Sequence, residues 1–114
     1  MKVNKELLKG STSTLILSLL HSKPMYGYEI IKVMEDKSNG IFSLKEGTLY
    51  PILHSLEANG IIEAYWSEGN GVRKRKYYEL TDKGRQYMQE KREEWLTFKF
   101  AVDEFLSWEK IICR

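Results

Sequence analysis

Cysteine, proline and histidine are all scarce. The 114 residues hold one cysteine, Cys113, two prolines and two histidines, His21 and His54. One thiol cannot close an internal disulfide, and no charged segment followed by an apolar one opens the sequence, so a reducing, cytoplasmic setting is expected. A zinc site would need the two histidines to join Cys113 or carboxylates from distant segments, so neither a metal nor another cofactor is expected. The patterns G-x-S-x-G, a glycine-rich phosphate loop and H-E-x-x-H are missing as well. Glu93-Glu94 and Asp103-Glu104 adjoin only along the chain; neighbours on a helix point about 100° apart, which suits solvation or salt bridging, not acid–base catalysis. The chain reads as a non-enzyme. Long apolar runs are absent too: Leu15 to Leu20 falls far short of the roughly 20 residues that span a bilayer, so no membrane partner is expected. With 18 Lys and Arg against 16 Asp and Glu, the net charge of +2 is too small to name a partner by itself.

Apolar residues make up 42% of the chain and aromatics 12%, enough to offset the entropy of ordering one domain. Asn4 is the expected cap of a first helix carrying Leu7, Leu8, Leu15, Ile16, Leu17, Leu19 and Leu20 and ending before Pro24. Its apolar residues occupy more than one face, which points to burial on two sides. A second helix carries Ile30, Ile31 and Met34 and stops at Asn39-Gly40. Ser43 and Glu46 match the capping box S-x-x-E and open a third helix, with Leu49, Ile52, Leu53 and Leu56 on its buried stripe and Asn59-Gly60 at its exit. Pro51 should bend this helix or delay its start. From Ile61 the period becomes two, Ile62, Ala64 and Trp66 alternating with Glu63 and Tyr65 as a half-buried strand; a turn at Ser67–Gly71 and an extended run from Arg73 to Leu80 complete a hairpin. Thr81 caps a last helix from Asp82 to about Ile112.

The order helix, helix, helix, hairpin, helix describes a winged helix-turn-helix, mainly α with a small β-hairpin, over residues 1–80, followed by a dimerisation helix over 81–114. In such a fold the third helix enters a DNA major groove while the hairpin wing touches flanking phosphate. Arg73, Lys74, Arg75 and Lys76 put four consecutive cations on the wing. Lys45, Thr48, Tyr50 and His54 add hydrogen-bonding groups on the exposed side of the third helix. A solvated hairpin edge would also explain the basic run, and Tyr50 could equally pack on Pro51 or the hairpin. An adaptor that meets an acidic protein, without specific DNA binding, is the alternative reading.

The last helix would be about 45 Å long, against a radius of gyration of about 13 Å for a domain of this size, so it must project from its own core. Trp95, Phe98, Val102 and Phe105 follow 3-4-3 spacing, and Leu96, Phe100, Leu106 and Trp108 form a second stripe. A second copy of the chain would cover them, so a homodimer is expected, with Leu15 of the first helix joining Trp95, Phe98, Val102 and Phe105 in its interface. Two symmetry-related Trp95 rings either pack the dimer core or leave a slot for a flat aromatic molecule.

The segments Tyr26-Gly27-Tyr28-Glu29-Ile30, GTLYPILHSLEANGII from Gly47 to Ile62, and RKRKYYELTDKG from Arg73 to Gly84 resemble the PadR family of bacterial transcriptional regulators. The resemblance implies a winged helix-turn-helix, a two-fold dimer on a palindromic site in double-stranded DNA, and usually repression. It makes Thr48, Leu49, Tyr50 and Pro51 the recognition-helix signature, with Tyr50 as a phosphate contact. The single C-terminal helix is similar to the short subgroup. Some of its members bind planar drugs at the dimer centre, where a tryptophan matching Trp95 stacks on the ligand. In that arrangement Leu7, Thr14, Ser18, Phe98 and Lys99 would line the neighbouring wall, and the charge of Lys99 would disfavour cationic drugs.

Overall fold

The fold is that of a computed structural model, which describes residues 2–68 and 73–112. Four helices and three strands follow in the order α1 (Lys5–Ser22), β1 (Met25–Tyr26), α2 (Gly27–Lys37), α3 (Glu46–Ala58), β2 (Ile62–Trp66), β3 (Lys76–Leu80) and α4 (Asp82–Ile112). The Asn4 side chain caps α1 by accepting from the Glu6 amide at 2.8 Å. Pro24 ends it: Lys23, immediately before the proline, is fully extended at φ −170°, ψ 160°, as the clash with a following pyrrolidine ring demands.

That extended backbone runs on into β1, a strand the sequence patterning does not reveal. Two residues are too few to display a period, yet they convert the hairpin into a three-stranded antiparallel sheet of order β1-β3-β2. Met25 opposes Tyr78 and Tyr26 opposes Tyr77, while across β2 the register runs from Ile62–Leu80 to Trp66–Lys76. Pleating therefore sets Met25, Tyr78 and Ala64 on the core face, and Tyr26, Tyr77 and Tyr65 in a row on the outer face. Tyr77 meets Tyr26 edge-on at 5.5 Å between centroids and stacks on Tyr65 at 5.8 Å.

The two helix-turn-helix exits close in the same way. Gly40 donates to the Glu35 carbonyl with Asn39 at φ 52°, and Ile61 donates to the Leu56 carbonyl with Gly60 at φ 72°. Both are Schellman closures, in which a left-handed residue returns the chain across the last turn.

The Ser43 capping box does not form. The N-cap of α3 is Lys45, without a side-chain cap bond, because Leu44 is drawn into the core and holds the lead-in extended. The later start leaves Pro51 in the second turn, five positions after Glu46, where its missing amide leaves the exposed Gly47 carbonyl to water. Leu49, Leu53 and Leu56 bury the expected stripe. They close on Ile16, Leu17 and Leu20 of α1, Ile30 of α2 and Ile62 of β2, all within one core.

α4 covers the full expected span. Thr81 accepts from the Gly84 amide at 2.9 Å and itself donates to the Gly60 carbonyl at 2.6 Å, so the cap also pins the helix to the start of the sheet. Burial along α4 ends early. Gly84 and Met88 are buried and Lys91 is half-buried, but every position from Arg92 to Trp108 is exposed. The radius of gyration is 16.9 Å and the extents are 65 × 30 × 21 Å, larger than the ~13 Å of a compact domain this size because the arm projects. Among the described residues no helix is long and apolar enough to cross a membrane.

Candidate nucleic-acid interface

The first turns of α2 and α3 and the inner side of the hairpin surround a concavity of ≈560 Å³. Tyr26, Gly27, Tyr28, Glu46, Tyr50, Trp66, Arg73, Arg75, Lys76 and Tyr78 line it. Three cations thus face one carboxylate. None of the four wing cations forms an ion pair among the described residues, whose pairs are Lys23–Glu29, Lys91–Glu94 and Lys99–Asp103. The basic run is held in place from behind. Ser67 donates its amide to the Arg75 carbonyl at 2.8 Å and accepts the Arg75 amide on Oγ at 3.1 Å, extending the ladder beyond β2 and β3. The Arg75 guanidinium lies 4.5 Å from the Tyr26 ring centroid and the Lys76 ammonium 5.6 Å from that of Tyr78, both within cation–π range. The hairpin tip, Gly69–Val72, lies outside the described residues.

Tyr50 reaches across from α3 to the head of α2. Its phenol extends over Gly27, where a Cβ would overlap the hydroxyl. The glycine at the head of α2 is therefore the seat that lets Tyr50 lie across the concavity. Burial pushes the phenol of Tyr78 above its ordinary value of 10, with Tyr50 and Glu57 acting in the same direction. Lys23 is also raised, through its hydrogen bond to Glu29 at 3.0 Å, which ties the α1–β1 turn to α2.

Of the expected interface residues, Tyr50, Arg73, Arg75 and Lys76 meet in the concavity. Lys45, Thr48 and His54 are exposed along α3 and Lys74 is exposed on the wing, outside its lining. Tyr26, Tyr28 and Trp66 belong to the lining but not to the residues singled out from sequence. Trp66 alternates correctly with Ala64 and Ile62, yet it lies past the rim of the core and is 63% exposed. The signal that could have found it is its distance from the last buried residue of β2, Ile62.

A second cavity, ≈300 Å³, lies between α1 and α4. Thr14, Leu15, Lys91, Glu94, Trp95 and Phe98 line it together with Gly10, Ser11 and Phe42. Trp95 and Phe98 are 5.9 Å apart between ring centroids, tilted by 39°. Thr14, Trp95 and Phe98 thus border one cavity, whereas Ser18 lines a neighbouring groove with Met34, Lys37 and Ser38. Leu7 is exposed on α1 outside the lining, and Lys99 is engaged by Asp103 at 2.9 Å, which offsets its charge. Leu15 borders both hollows. Val102 and Phe105 lie farther out on the arm, exposed, and Cys113 is outside the described residues. No cluster of three or more metal-ligating side chains occurs among the described residues.

Comparison with known proteins agrees with this architecture. An uncharacterized protein of Lysinibacillus sphaericus is 36% identical over 105 residues, covering 92% of this chain and 96% of that one. A transcriptional regulator from Clostridium thermocellum superposes with a TM-score of 0.81 at 37% identity, over 90% of this chain and 97% of its own. A PadR-like transcriptional regulator from Bacillus cereus gives 0.80 at 29% identity over the same shares. The model of the transcriptional regulator PadR-like family matches residues 16–90. The chain, a winged helix with a long C-terminal helix, belongs to the PadR-like family of transcriptional regulators.

Proposed function

We propose that the chain is a homodimeric, DNA-binding repressor of a nearby promoter, with residues 1–80 as the DNA-binding unit and 81–114 as the dimerisation helix. One observation carries the reading: the start of α3 and three wing cations unpaired among the described residues, distant in sequence, open into one concavity. That arrangement suits a phosphate backbone passing between Tyr50 and the wing while Thr48 and His54 face base edges and Lys45 the flanking phosphate. Lys74, exposed on the wing outside that lining, would meet the next phosphates.

The dimer is supported by the arm. Every position of α4 from Arg92 to Trp108 is exposed, α1 only flanking Trp95 and Phe98, and an apolar stripe of that length in water favours a second copy. A planar aromatic effector would enter beside Trp95, Phe98 and Thr14, with Leu7, Ser18 and Lys99 contributed at the margins, and would act by binding one dimer geometry more tightly than the other. Selection of bound duplexes from a random pool tests the whole reading. Recovery of a palindrome with half-sites one turn, about 34 Å, apart is the expected result; failure to enrich any sequence, with the dimer present, would favour the protein-binding adaptor.

A further inference from the structure

Trp66 is placed where neither the core nor the hairpin needs an indole. Its partner across the sheet is Lys76, and its ring is 63% exposed at the end of β2. A single exposed ring is ordinary on a protein surface, but this one does not stand alone. It lies in the same concavity as Arg73, Arg75, Lys76 and a second exposed aromatic, Tyr28, also 63% exposed.

Resting on the DNA-binding reading, we infer that Trp66 is itself a DNA contact, its ring packed on the apolar edge of a deoxyribose between phosphates held by the wing cations. Charge complementarity sets the occupant: three cations against Glu46 alone favour a polyanion. In a duplex the base faces are already stacked, so an aromatic brought in beside phosphates meets sugar carbons or the methyl group of a thymine. Both offer the same apolar carbon–hydrogen surface, and the wing's attachment to the backbone favours the sugar.

The contact has a signature distinct from that of a cation. It releases no counterion, so Trp66→Ala should weaken binding of the selected operator about tenfold (1.4 kcal/mol) without changing the slope of log affinity against log salt. Trp66→Phe should restore most of the loss. In a Trp95→Phe, Trp108→Phe background, the remaining indole should change its fluorescence when operator duplex is added. A loss shared by operator and unrelated duplex identifies the sugar; a loss confined to sites with a thymine at the wing would overturn that assignment. Affinity of Trp66→Ala within twofold of the unsubstituted protein, or a reduced salt slope, would show that the ring is not a contact or only props the wing. If the unsubstituted protein binds no duplex, the DNA-binding reading falls first and this inference falls with it.

Discussion

Two glycines show how a missing side chain can act in opposite ways. Gly84 sits in the first turn of α4 with the Ile61 carbonyl directly over its Cα, so a Cβ there would overlap backbone. Helix propensity alone would favour alanine by about 1 kcal/mol. The overlap should reverse the sign: Gly84→Ala should cost about 1–3 kcal/mol, seen as a drop of several degrees in thermal midpoint. Gly27 faces the end of the Tyr50 side chain instead. Gly27→Ala should leave the midpoint nearly unchanged, since Tyr50 is partly exposed and can swing away, yet it should reduce operator affinity about tenfold by displacing the hydroxyl. Equal midpoints and equal affinities for the two variants would contradict the placement of Tyr50.

At the scale of elements, the wing and the cap of α4 carry separable roles. If each wing neutralises two to three phosphates, the dimer should show a slope of about −4 to −5 in log affinity against log salt. Replacing Arg73, Lys74, Arg75 and Lys76 with Ala should flatten it, and an unchanged slope would remove the wing from DNA binding. Thr81 links two elements through the Gly84 amide and the Gly60 carbonyl. Thr81→Val keeps the shape but removes both bonds, and should cost about 1–2 kcal/mol in denaturant unfolding. β3 adds a pH dependence. The phenol of Tyr78 titrates above its ordinary value of 10 because burial favours the neutral form. Its contribution is complete below pH 10 and is lost as pH rises through the folded value, so stability should fall above pH 10, and less steeply in Tyr78→Phe.

For the whole molecule the governing fact is a core that ends near Lys91 while α4 continues to Ile112. The surface pairs Lys91–Glu94 and Lys99–Asp103 add little, about 0.2–1 kcal/mol each at most. The arm's stability must come from packing against something else. Phe105, 74% exposed in the single chain, is the sharpest probe. Phe105→Glu should give a folded monomer by sedimentation, with the thermal midpoint losing its dependence on protein concentration and operator affinity falling steeply. A dimer that survives the substitution would place the contact elsewhere.

Periodicity and punctuation in the chain were enough to read four helices, the hairpin and the projecting arm. The Asn4 cap, the Asn39 and Gly60 exits and the Thr81 cap are local chemistry, written within a few residues of where they act. The local signal failed where a distant partner competed with it. Ser43 lost its capping box to the burial of Leu44, β1 exists only because β3 is there to pair with it, and Trp66 alternates toward a core that has already ended. The candidate site divides the same way. Its cations and Tyr50 were legible as residue types in order along the chain. Tertiary structure alone decided that they converge with Tyr28 and Trp66 in one concavity, and that Leu7, Ser18 and Lys99 stand apart from Trp95 within one chain, because a shared cavity depends on which surfaces the fold brings face to face.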